Sequence, residues 1–205
     1  MGEAMPIKAV FFDMGGVLLR TEDRSGRRRW EQRFGLPEWG LSEAVFNSEP
    51  ACRATIGQGS QPEIWAHVSE RFGLSEAELT ELRRDFWNGD RFDERLIAFV
   101  ASLRPRYRTG IITNAWPDAR EFLSRHEFIR AAFETLIISA EIGVAKPDSG
   151  IYQAALEAFA LAPDEAVFVD DVLENVEAAR ALGMAGVYYK TGMDVRAEFK
   201  RWGIA

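Results

Sequence analysis

The feature that most constrains the fold is an alternation of strand and helix signals that runs from about residue 107 almost to the end of the chain. Residues 107–113 (YRTGIIT), 133–139 (FETLIIS), 166–169 (AVFV) and 186–189 (GVYY) are short, apolar and rich in β-branched or aromatic residues, as buried strands are. Between them lie helical patterns. One runs from Pro117 to about residue 126, with proline in its first turn. A second spans 148–160, apolar at 151, 154, 155, 158 and 159, and a third spans 173–182, apolar at 173, 176, 179 and 182 with Gly183 as its stop. A last helix starts near Asp194. Such alternation predicts an α/β fold, a parallel sheet covered by helices on both faces. One more strand precedes it, the run Ile7-Lys8-Ala9-Val10-Phe11-Phe12 that ends at Asp13 and the pair Gly15-Gly16.

Residues 21–90 read differently. They hold no convincing strand, and helical patterns near 24–34, 40–54, 60–72 and 75–87 are separated by Gly35, Pro37, Gly57, Gly59 and Gly73. This predicts a helical insertion, with residues 1–20 and 91–205 forming the core and residues 91–103 a helix that returns to the sheet. The 205 residues suffice for one domain with such an insertion.

A formal net charge of −7 gives no electrostatic help toward nucleic acid, so none is expected as a partner. Cys52 is the single cysteine, which precludes an intrachain disulfide and suits a reducing compartment. No apolar stretch approaches a membrane span, and residues 1–6 lack the pattern of a signal peptide. A cytoplasmic location is the expectation; oligomeric state stays open.

Polar residues fall at the carboxyl ends of the expected strands: Asp13, Thr113-Asn114, Lys146 in AKPDSGIY, and Asp170-Asp171 in FVDDVLEN. In a parallel sheet these ends share one edge, where residues distant in sequence converge. The carboxylates can hold a hard cation such as Mg²⁺. Lysine and metal together can neutralise a phosphoryl group while the Asp13 carboxylate attacks it.

The ordered set FFDMGGVLL, IITN, AKPDSGIY and FVDDVLEN resembles the haloacid dehalogenase-like hydrolase superfamily, in particular a helical-cap, phosphatase-like subgroup with Asp-x-Gly-Gly in its first motif. The resemblance implies a Rossmann-like, doubly wound core with residues 21–90 as an inserted cap. By the same resemblance, Asp13 is the nucleophile that becomes an aspartyl-phosphate. Thr113 binds the transferring phosphoryl group with help from the amide of Asn114, and Lys146 pairs with nucleophile and phosphoryl oxygens. Asp13, Asp170, Asp171 and the backbone carbonyl of Gly15 ligate Mg²⁺. Asn175 supports the acidic pair, and Trp116 is the aromatic nearest the substrate.

At one position the chain departs from the commonest phosphatases of that superfamily. Two residues after the nucleophile they carry a second aspartate that protonates the leaving alcohol and later activates water; here the residue is Gly15. Three functions are therefore weighed. The first is a Mg²⁺-dependent phosphatase of a small phosphorylated metabolite. The second is a 2-haloacid dehalogenase, although such enzymes usually carry an aromatic residue at the position of Gly15 and serine where Asp170-Asp171 stands. The third is a non-catalytic, ligand-binding relative. His67, His126 and Cys52 read as structural, Cys52 as a small packing residue, and Arg27-Arg28-Arg29 as a solvated helix face.

Overall fold

The computed structural model describes residues 7–204. Its centre is β1 (Ala9–Phe12), whose four side chains are all buried. β1 pairs in parallel with β4 (Arg108–Thr113) on one side and β6 (Ala166–Asp170) on the other. The sheet is completed by β5 (Thr135–Ile138) beside β4 and β7 (Ala185–Tyr188) beside β6, in the order β5-β4-β1-β6-β7. The chain moves outward from β1 through β4 to β5, then crosses to β6 and β7. Strand order thus reverses between β1 and β6, the place where open α/β sheets form a crevice at their carboxyl ends.

Period-two alternation divides the apolar side chains between two layers. Val10, Phe12, Ile111, Val167 and Val169 face one side, covered by α6 (Glu94–Leu103), α8 (Glu127–Ala132) and α12 (Val195–Phe199). Ala9, Phe11, Ile112 and Phe168 face the other, covered by α10 (Ser149–Phe159) and α11 (Leu173–Leu182). The fold is a doubly wound α/β sheet, as the alternation predicts.

Between β1 and α6 the chain leaves the sheet. A short antiparallel ribbon of β2 (Leu19–Thr21) and β3 (Asp90–Phe92) encloses five helices: α1 (Ser25–Phe34), α2 (Gly40–Phe46), α3 (Glu49–Thr55), α4 (Gln61–Phe72) and α5 (Glu76–Trp87). These helices share a separate apolar cluster that includes Trp30, Leu41, Val45, Ile64, Trp65 and Phe86.

Several sequence expectations change here. The helix expected over 40–54 is two helices, because Ser48 caps α3: its Oγ accepts from Ala51 N at 3.3 Å, and Pro50 opens the new helix. Residues 91–103 are not one helix, since Arg91 and Phe92 belong to β3 and Asp93 caps α6 by accepting from Leu96 N at 2.9 Å. The helix expected from Pro117 starts later, as α7 (Ala119–Ser124), and is followed by α8. Arg27 is buried rather than solvated. Its guanidinium meets both Asp90 oxygens at 2.9 and 3.1 Å, its Nε donates to Phe86 O at 2.8 Å, and it stacks on the Phe86 ring at 4.2 Å. Arg28 and Arg29 are exposed as expected. Cys52 is exposed, not a packing residue, since Pro50, Ala51 and Ala54 take the buried positions of α3. His126 lies among Phe92, Phe122 and Phe128, consistent with a structural part.

Asp90 also accepts from Thr21 Oγ1 at 2.6 Å, so Arg27 and Asp90 join the first helix to both strands of the ribbon. Arg27→Ala is expected to cost about 3–5 kcal/mol, as removal of one partner from a buried pair does. A urea melt would read this; a loss under about 1 kcal/mol, typical of an exposed pair, would contradict it.

Candidate active site

Asp13 begins where β1 ends. Its backbone N donates to Val169 O at 2.8 Å, so the ladder with β6 continues one residue past the strand and fixes the carboxylate beside Asp170. Asp13 is 7% exposed, Asp170 fully buried, and Thr113 closes β4 at 2% exposed. The strand ends thus bring together Asp13, Thr113 and Asp170, with Asp171 following at the edge.

Lys146 enters this group from the loop between α9 (Ser139–Ile142) and α10. Its Nζ donates to Asp13 Oδ1 at 2.5 Å and to Asp170 Oδ2 at 2.7 Å, and it lies 5.3 Å from the Phe168 ring centroid. The Asn114 side chain fixes the Lys146 main chain in both directions: Nδ2 donates to Lys146 O at 2.9 Å and Oδ1 accepts from Lys146 N at 2.8 Å. The peptide from Lys146 to Pro147 is cis. Ser139 Oγ accepts from Ala115 N at 3.0 Å, which ties the loop after β4 to the start of α9.

Asp170 is held on three sides. Besides Lys146, it accepts from Asn175 Nδ2 at 3.1 Å and from Val172 N at 2.7 Å. Asn175 is held in turn through its carbonyl, which accepts from Tyr152 Oη at 2.9 Å. Tyr152 and Ser139 are absent from the sequence-based reading, because a tyrosine on the apolar face of α10 and a serine after a strand carry no signal of this kind. Trp116 is only 8% exposed and packs its ring into the helical cluster, against Phe46 and Trp87.

The charges in this group do not balance. Asp13, Asp170 and Asp171 each present a carboxylate oxygen, all within 4.8 Å of one another, against the one ammonium of Lys146. Burial pushes the Asp13 carboxyl up to about 7 against the opposing pull of Lys146, and the charges of Asp170 and Asp171 add to the rise. Burial also raises Asp171, with the Asp170 charge adding to it. Burial alone would lower Lys146, but Asp13 and Asp170 outweigh it and hold the ammonium above its ordinary range. A cluster with this surplus of hard oxygen donors fits a divalent cation such as Mg²⁺.

The two glycines after Met14 differ. Gly16 has φ of +80°, and a Cβ there would overlap the Asp171 carboxylate, so the loop needs glycine at that position. Gly15 has an ordinary φ, and a Cβ there would meet no atom within 4 Å. The missing acid at position 15 is therefore not forced by space or backbone.

A family model described as haloacid dehalogenase-like hydrolase matches residues 7–183. The chain is 27% identical to the sesquiterpene phosphatase astK of Aspergillus oryzae, over 95% of each chain. It is 29% identical to bifunctional epoxide hydrolase 2 of Sus scrofa over 89% of its own length, but spans only 36% of that protein. Among solved structures, it resembles a HAD family enzyme of Bacteroides thetaiotaomicron, crystallised with magnesium and inorganic phosphate, with a TM-score of 0.77 at 21% identity over 94% of this chain and 99% of that one. This last likeness is one of fold.

The contrast between the glycines gives a direct expectation. Gly16→Ala should lose about 1–3 kcal/mol from left-handed strain, and more from the collision with Asp171. Gly15→Ala should stay within about 0.5 kcal/mol of the parent. Thermal melts of both variants would show it; equal losses would contradict the distinction.

Proposed function

The chain belongs to the haloacid dehalogenase-like hydrolases, and on that premise we propose that it is a Mg²⁺-dependent phosphatase of a small phosphorylated metabolite. The observation that carries this reading is the cluster of three carboxylates facing one lysine. The surplus negative charge of these carboxylates would have to be offset before a phosphoryl group could approach, and a divalent cation held by them would do so. In this reading Asp13, Asp170, Asp171 and the Gly15 carbonyl hold the ion. Although Asp170 is already hydrogen-bonded, its Oδ1 keeps a lone pair beyond the one given to Val172 N. Bound Mg²⁺ would supply positive charge to the phosphoryl oxygens.

The chain's own residues do the rest. Lys146 engages Asp13 through Oδ1, which leaves Oδ2 to attack phosphorus. The bond from phosphorus to the ester oxygen breaks, and the alcohol leaves. Thr113 and Lys146 donate to the transferring oxygens. The Asn114 amide is engaged with the Lys146 main chain, so we assign it the positioning of that lysine rather than contact with the phosphoryl group. Water then attacks phosphorus, releases inorganic phosphate and returns Asp13. With glycine at position 15, the leaving oxygen takes its proton from water. Residues 21–90 act as a cap that shields the site from bulk solvent. The acidic net charge gives no electrostatic help toward nucleic acid, which favours a small-molecule substrate.

Attack at the carbon of a 2-haloacid is the competing reading. That chemistry uses no metal, so it leaves Asp170 and Asp171 beside the nucleophile with only Lys146 to offset them. The charge balance therefore favours phosphoryl transfer.

Hydrolysis of an aryl phosphate should require Mg²⁺ and disappear with chelator or in Asp13→Asn. Gly15→Asp, which the open space permits, should speed alkyl phosphate turnover by on the order of 10²-fold, since a poor leaving group gains most from a general acid. Turnover that persists in Asp13→Asn would sink the nucleophile assignment. Chelator-resistant dehalogenation of 2-chloropropionate would move the chain to the competing chemistry.

A further inference from the structure

Two groups of exposed apolar side chains adjoin the segments that carry the charged floor of the site. One is formed where the helical unit rests on the loop after β4 and on α9. Gln61 Nε2 donates to Asp118 Oδ2 at 2.8 Å, and Gly57, at φ of +74°, packs directly against Ala140 O. At this junction Trp116, three residues after Thr113, meets Phe46 and Trp87 at ring-centroid distances of 5.6 and 6.2 Å, with Phe46 and Trp87 5.9 Å apart. Trp116 is buried beneath the other two, whereas Phe46 is 41% and Trp87 38% exposed. The second rim follows the acidic pair directly. Val172 and Leu173, the cap and first residue of α11, are 46% and 44% exposed.

Large apolar side chains left open beside segments that carry a buried charged floor form a surface that gains free energy when a hydrophobic group covers it. A polyol or sugar would instead lose hydrogen bonds to water against these rings. Resting on the phosphatase reading above, we propose that the substrate is a phosphate monoester of a hydrophobic alcohol. Its phosphoryl group sits on Asp13 and Lys146, and its tail lies between the Phe46–Trp87–Trp116 rim and the Val172–Leu173 rim. Phe46 and Trp87 are thereby specificity-determining residues. Phe46 is the last residue of α2 and Trp87 the last of α5, so the helical unit supplies this rim.

The test is a series of n-alkyl monophosphates from ethyl to decyl, with glycerol 3-phosphate as the polar ester, assayed by phosphate release with Mg²⁺. kcat/KM should rise about threefold to fourfold per methylene over the covered part of the chain and then level off. Butyl phosphate should exceed glycerol 3-phosphate. Phe46→Ala and Trp87→Ala, both checked for fold by circular dichroism, should flatten the rise. Turnover with a flat series, or with glycerol 3-phosphate preferred, overturns the hydrophobic-tail proposal and leaves the phosphatase reading standing. A steep series that both variants retain overturns the assignment of the rim. Failure to hydrolyse any ester in the set, aryl phosphate included, overturns the phosphatase reading and this proposal with it.

Discussion

The ammonium of Lys146, set between Asp13 and Asp170, is the interaction on which the site depends. Both carboxylates are buried at the end of a central parallel sheet, where a charge without a partner is costly. The neighbouring structure serves to keep that lysine in place. The Asn114 amide grips its main chain, Ser139 holds the adjoining loop, and Asn175, backed by Tyr152, holds Asp170 from the far side. Sheet topology provides the convergence, because the ends of β1, β4 and β6 are neighbours by register. One ammonium among three carboxylates leaves a surplus of negative charge, and that surplus connects the fold to metal-dependent phosphoryl chemistry.

The helical unit is fastened to this core by polar contacts at its base rather than by a continuous apolar interface. Arg20 donates to Val17 O at 2.8 Å, Tyr189 Oη at 3.1 Å and Asp93 Oδ2 at 2.9 Å, so one side chain joins the loop after Asp13, the end of β7 and the start of α6. Tyr189 N donates in turn to Asp170 O at 2.8 Å. The ribbon through which the chain leaves and re-enters the sheet is thus tied to the backbone of the acidic strand itself. Among aromatic contacts, Trp116 is the core residue that enters the helical cluster, and this accounts for its burial.

Much of the core was legible because its strands are buried on both faces and read as unbroken apolar runs, each closed by a polar residue. That pattern points to Asp13, Thr113, Asp170 and Asp171 at one edge, whereas Lys146, expected at a strand end too, lies in the loop between α9 and α10 and reaches the edge by its long side chain. Other features had no such signal. β2 and β3 are three residues each (LRT and DRF), too short and too polar to show alternation. Arg27 sits in a run of three arginines, and only the fold of the chain distinguishes the one that reaches Asp90 from its exposed neighbours. Asn114 was read as facing the phosphoryl group, whereas its amide is turned to a main chain 32 residues away. Gly15 and Gly16 look alike in sequence, and only the positive φ and crowding at Gly16 separate a required glycine from a permissive one.

Whether the acidic cluster is built for a divalent cation is read most directly from the thermal melting temperature as a function of Mg²⁺ concentration. An ion that binds the folded state raises stability by RT ln(1 + [Mg²⁺]/Kd), about 2.7 kcal/mol at one hundred times Kd. Binding at this cluster should give a rise in Tm that saturates with Mg²⁺ and is strongly reduced in Asp171→Asn, the variant that removes a charge from the cluster's more exposed side. A Tm that does not respond to Mg²⁺, or responds equally in the variant, would contradict it.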